Sequence, residues 1–127
     1  MPLRGVKEGV AVIAWWEVIV RLLLSALLGG VIGWERESTG KPAGLRTLML
    51  AALGSTLFVL AGSQAAYAVG EMHDAVRAMA GIAQGVGFIG AGLIFRAQGS
   101  VKGLTTAAAL WAVAALGLAV GLGQYLI

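Results

Sequence analysis

Gly33-Trp34-Glu35-Arg36-Glu37-Ser38-Thr39-Gly40-Lys41-Pro42-Ala43-Gly44-Leu45-Arg46 is the most polar stretch of a very apolar chain. It holds five of the fifteen charged side chains: Glu35, Arg36, Glu37, Lys41 and Arg46. Apolar runs long enough to cross a bilayer flank it on both sides. The stretch reads as a short loop between two membrane spans, and the fold follows from that reading.

Composition agrees. Of 127 residues, 59% are hydrophobic and 12% charged, where an ordinary soluble domain carries roughly 25% charged residues. The mean hydropathy is +0.90. A soluble protein this small has a large surface for its volume and needs polar groups to cover it. Six acids and nine bases cannot do so, so the excess apolar surface must face lipid. The net charge of +3 is spread singly between apolar runs, without the basic, aromatic-interleaved stretch of a nucleic-acid binder. The absence of cysteine excludes a disulfide framework and Cys-ligated zinc, and the single His73 leaves no histidine cluster. Arg4 and Lys7 imitate the charged start of a signal peptide. The apolar run that follows continues past Leu28, too long for one, so it is read as a membrane helix.

Outward from the loop, the expectation is an all-α polytopic membrane protein of four tightly packed helices with short connections. Residues 1–9 form an irregular tail and residues 10–127 the membrane domain, with helices over about 10–34, 43–69, 75–95 and 104–125. About 20 residues cross the ~30 Å hydrocarbon core. Glu17 and Arg21 are four apart on the first helix, the acid N-terminal, which is the favourable order for an ion pair. Such a pair lowers the cost of inserting two charges, and intramembrane charge is also a functional candidate. Gly29 with Gly33, and Gly117 with Gly121, have the small-xxx-small spacing of closely approaching membrane helices. Gly40, Lys41 and Pro42 break the chain after the first span. Asp74 is an expected N-cap of the third helix. That helix carries Gly81, Gly85, Gly87, Gly90 and Gly92, which implies tight packing on several sides or, as a sharper alternative, a break at mid-membrane. Gln84 needs a partner across a helix interface. Loops at 35–46 and 96–102 carry five basic residues against three on the opposite side, which places them in the cytoplasm and both termini outside.

No enzyme motif appears. Gly85, Gly87 and Gly90 match G-x-G-x-x-G but follow no strand, which excludes a dinucleotide site. Glu35 and Glu37, and likewise Glu71 and Asp74, have the oxygen chemistry of a magnesium site. They are explained as well by solvated pairing with nearby bases, and that is the preferred reading. No resident cofactor is expected, with magnesium as the one candidate ligand or signal.

Four stretches in order resemble the MgtC/SapB family of bacterial inner-membrane proteins: Arg21 through Glu35-Arg36-Glu37; Lys41-Pro-Ala-Gly44-Leu-Arg46-Thr47; Gly85-Val-Gly87-Phe-Ile-Gly90-Ala-Gly92; and Gly103-Leu-Thr105-Thr106-Ala-Ala-Ala-Leu-Trp111. The resemblance spans about residues 17–125 and adds Arg77 and Arg96 to the residues of interest. It implies an inner-membrane protein linked to magnesium limitation and, in pathogens, to virulence. It implies non-enzymatic action on membrane partners, the proton-driven ATP synthase being a candidate, with self-association as a further expectation. The alternative is an oligomeric unit transporting magnesium or a small solute. The family pattern also carries a fifth helix and often a soluble domain, neither of which is transferred to a sequence that stops at Ile127. Leu48 stands where a histidine often follows the Arg-Thr pair, and Gly81 where a polar amide is usual, so no polar site is expected on those two positions.

Overall fold

The computed structural model describes residues 13–69, 72–97 and 99–126. The tail at 1–9 and Glu71 lie outside the described residues. Four helices, α1 (Trp15–Ser38), α2 (Leu45–Val69), α3 (Met72–Leu93) and α4 (Leu104–Gly121), carry the fold. Each contains a segment long and apolar enough to span a membrane. The chain is a helical membrane protein.

The polar stretch is shorter as a loop than its composition suggests. α1 runs on through Glu35, Arg36, Glu37 and Ser38, and only residues 39–44 leave helical geometry. Hydropathy marks where a helix leaves lipid, not where it stops, and Glu and Arg are good helix formers. The stop is made by Gly40 at φ 71°. Its N–H bonds Glu37 O at 3.1 Å, and the Lys41 N–H bonds Arg36 O at 2.9 Å. These are the paired contacts of a glycine-terminated helix end, which satisfy two otherwise free carbonyls.

The other boundaries shift for similar local reasons. α3 begins at Met72, so Asp74 lies within its first turn and is not its N-cap. α3 ends at Leu93. The expected third loop is a hairpin, with β1 (Phe95–Ala97) antiparallel to β2 (Ser100–Lys102) in the register Phe95 to Lys102. Gly103 follows with φ 82° and starts α4. Any Cβ there would strike the Leu93 carbonyl, so both its conformation and its space require glycine. α4 closes at Gly121, four residues before the expected end.

α2 and α4 form the centre, each packing against all three other helices, while α1 and α3 flank them. Leu48 and Ala52 of α2 meet Leu110 and Val113 of α4 in the buried core. The expected glycine contacts are present and now have partners. A Cβ on Gly29 would lie 2.6 Å from Leu48 O, and one on Gly33 2.7 Å from the Leu45 Cα. Gly117 and Gly121 abut Ala52, Thr56 and Val59 of α2. Thr56 donates to Gly117 O at 2.7 Å, a buried bond across the same interface.

α3 departs from expectation. It is continuous from Met72 to Leu93, so the mid-membrane break does not occur. Nor is it tightly packed at its glycines. Among them only Gly90 contacts another helix, at Ala107 on α4, while Gly81, Gly85, Gly87 and Gly92 face open space. An apolar groove of about 470 Å³ separates α2 from α3 and is lined by Gly54, Ser55, Phe58, Gly81, Gly85 and Ile89, among others.

Candidate functional site

Two buried guanidiniums of α1 hold the polar organisation of the bundle, one near each end, and both reach α4. Arg36 is 5% exposed. Its Nε and Nη2 donate to the Pro42 carbonyl at 3.2 and 3.1 Å, and Nη2 also donates to Thr106 Oγ1 at 2.8 Å. This one side chain joins the end of α1, the 39–44 loop and the first turn of α4. Pro42, Leu93, Phe95, Lys102, Gly103 and Thr106 line a cavity of about 500 Å³ beside it, which sets the loop and the hairpin at the same end.

Arg21 is 9% exposed. Nη2 pairs with Glu17 at 2.7 Å, and Nη1 donates to the Gly121 carbonyl at 2.7 Å. The Glu17–Arg21 pairing is as the spacing implies. The bond to Gly121 O, one hundred residues away, adds a function that no spacing reveals: a cation satisfies a terminal carbonyl of α4, where the helix dipole favours positive charge. Nε of Arg21 is buried without a partner among the described residues.

The first loop is less of a charged clamp than its composition implies. Lys41 Nζ stands 4.0 Å from Glu35 Oε1 with both side chains exposed, a separation worth little in water. Arg46 and Thr47 are exposed and bond to no described residue, so neither joins a network with Glu35 or Arg36. Glu37 instead accepts from the Leu45 N–H at 3.3 Å and packs on Gly44, so it caps the start of α2. Thr105 is exposed and Thr106 buried, which separates the Thr-Thr pair into one solvent-side and one structural residue. Arg77 is exposed without a described partner, and Arg96 lies on β1.

The carboxylates do not assemble. Among the described residues no three His, Cys, Asp or Glu side chains come together as a metal site. Glu35 and Glu37 are engaged separately, Asp74 lies on a different helix, and Glu71 is outside the described residues. Leu48 is 0% exposed in the core against Ala52, Leu110 and Val113. The site residues that sequence reasoning missed are Pro42, acting through its carbonyl, and Gly121, acting through its own. Backbone acceptors have no signature in side-chain chemistry.

A four-helix membrane bundle with arginines clamping both ends is thereby defined, without an assembled catalytic or metal centre among its described residues. Residues 22–127 match the profile of the MgtC family, and the chain belongs to that family. It is 44% identical over 121 residues to "Protein SrpB" of Synechococcus elongatus, covering 87% of this chain and 66% of that protein. It is 43% identical over 113 residues to "Putative magnesium transporter YhiD" of Escherichia coli K12, covering 86% and 53%. It is 42% identical over 107 residues to "Protein MgtC" of Salmonella typhimurium, covering 84% and 44%. The chain thus spans between 44% and 66% of the length of these relatives. No solved structure matches it.

Proposed function

We propose that the chain is a bacterial inner-membrane unit of magnesium homeostasis that acts on partner proteins and does not itself conduct the ion. The observation that carries this reading is the filled interior. Between the Arg21 and Arg36 clusters the centre is occupied by Leu48, Ala52, Leu110 and Val113 and by glycine-mediated backbone contact, and the Thr56 hydroxyl there is bonded to Gly117 O. A hydrated magnesium ion gives up its waters reluctantly and needs oxygen ligands along its route, which such a centre does not supply. Arg36, Lys41, Arg46, Arg96 and Lys102, in the stretches 35–46 and 96–102, favour the cytoplasm for that end, with both termini outside. Partners then meet either the lipid-facing helix surfaces or the loop end. The proton-driven ATP synthase is one candidate partner, as the family resemblance implies, and a contribution to virulence follows in a pathogen.

A second reading, transport by an oligomer, is favoured by the buried charge of Arg21 and Glu17 within a span and by the word "transporter" in the name of the Escherichia coli relative. Purified protein in liposomes with an entrapped magnesium dye separates the two. No flux above protein-free vesicles, together with recovery of a membrane partner after crosslinking in cells, is expected. Magnesium flux that falls when Glu17 and Arg21 are neutralised would establish transport instead.

A further inference from the structure

Gln84 lies at the middle of the span Val76–Leu93, exposed on α3. Its amide makes no hydrogen bond with any described residue. Hydrocarbon offers neither donor nor acceptor, so a bare amide at this depth is costly. Helical spacing sets Gly81, Gln84, Phe88 and Gly92 on one face. Phe88 is 82% exposed, and a Cβ on Gly81 or Gly92 would meet nothing within 4 Å. The outer face of α1 is different in kind. It shows Ile19, Val20, Leu23, Leu27 and Val31, an aliphatic surface that lipid covers without penalty.

We propose that this face of α3 is the contact surface for a second copy of the chain, related by a two-fold axis along the membrane normal. Two copies inserted in the same orientation bring their Gln84 side chains to the same depth. A primary amide both donates and accepts, so each completes the other. The flanking glycines let the two backbones approach closely enough for that bond, the arrangement by which membrane helices associate. A two-fold contact is self-complementary by construction. A different protein would have to bring its own donor and acceptor to this depth, whereas a second copy brings them automatically. α3 sits on the flank, and among the described residues no helix packs on this face. The proposal stands whether the protein regulates or transports.

The chain has no cysteine, so introduced ones are unique. Phe88→Cys and, on the outer face of α1, Leu27→Cys are to be compared by disulfide crosslinking of the full chain in native membranes. A product of twice the chain mass from Phe88→Cys and little from Leu27→Cys is expected. Gln84→Leu in the Phe88→Cys background lowers that yield, and in vesicles at graded protein-to-lipid ratios it raises the dimer dissociation constant about three- to thirty-fold. Gln84→Asn retains most of the association. Gly81→Ala adds a Cβ that meets nothing within 4 Å in one copy, so the chain still inserts and folds while a closely approached second copy is pushed away, and the variant separates association from folding. Equal crosslinking from both cysteines, an adduct of Phe88→Cys to a protein of another mass, no product, or a dissociation constant indifferent to Gln84→Leu would each overturn the proposal.

Discussion

Gly29→Ala and Gly54→Ala make the same chemical change on neighbouring helices, and the structure gives them opposite outcomes. In an aqueous helix, alanine is favoured over glycine by about 1 kcal/mol. At Gly54 that gain is unopposed, since a new Cβ meets nothing within 4 Å. At Gly29 the new Cβ would stand 2.6 Å from Leu48 O and 2.9 Å from the Ala52 Cβ, where ordinary contact begins at 3.4 Å. The nearest neighbour is backbone, so α1 and α2 must separate locally by roughly 0.8 Å, and a gap of that size forfeits a quarter to a half of each contact along the seam. Overpacking of this kind typically costs about 1–3 kcal/mol. The two variants should therefore differ by about 2–4 kcal/mol, with Gly54→Ala neutral to stabilising. Reversible unfolding of the purified protein in mixed micelles, followed by tryptophan fluorescence, measures the difference. Equal stabilities would refute the claim that α1 and α2 meet through their backbones at Gly29.

Arg36→Ala should destabilise by about 1–3 kcal/mol, the cost of leaving Thr106 unpaired and the loop untied, and should open the 39–44 loop to proteolysis. Arg46→Ala, on an exposed side chain without a described partner, should stay within about 0.5 kcal/mol. Arg21→Ala should cost more than Glu17→Gln, because only the arginine also holds Gly121 O; equal losses in a double-mutant cycle would assign the whole effect to the ion pair. Leu48→Ala should cost about 2–5 kcal/mol, the range for a fully buried leucine, read as a lower midpoint in the same unfolding assay.

The four spans were legible because a bilayer demands long apolar runs, and Val18–Trp34, interrupted only by Arg21 and Ser25, and Leu104–Gly121, interrupted only by Thr105 and Thr106, meet that demand. The end of α1 was not, because Glu35 to Ser38 leave the lipid while staying helical, and hydropathy registers only the first event. The hairpin at 95–102 is too short for an alternation pattern to stand out from a polar loop. Gly29, Gly33, Gly117 and Gly121 were readable as close contacts, though which helix each touches was not. The glycines of α3 show the limit of that reasoning: Gly81 and Gly85 repeat the same spacing, yet a Cβ on either meets no other helix within 4 Å. The arginine clamps were hidden for a simpler reason. Apart from Glu17, their acceptors are Thr106 Oγ1, seventy residues away, and two main-chain carbonyls.

Both of those arginines sit on α1, and both find partners on α4, which is synthesised later. As the chain emerges, Arg21 has only Glu17 until Gly121 exists, and Arg36 has no hydroxyl to meet until Thr106 arrives. α4 is also central, so α1 to α3 wait in the bilayer around a missing neighbour. Assembly of this bundle is therefore gated by the arrival of α4, and a chain stalled before it presents two guanidiniums that each lack one partner. Released chains truncated at residue 103 should accordingly be cleared faster than those that carry α4 complete.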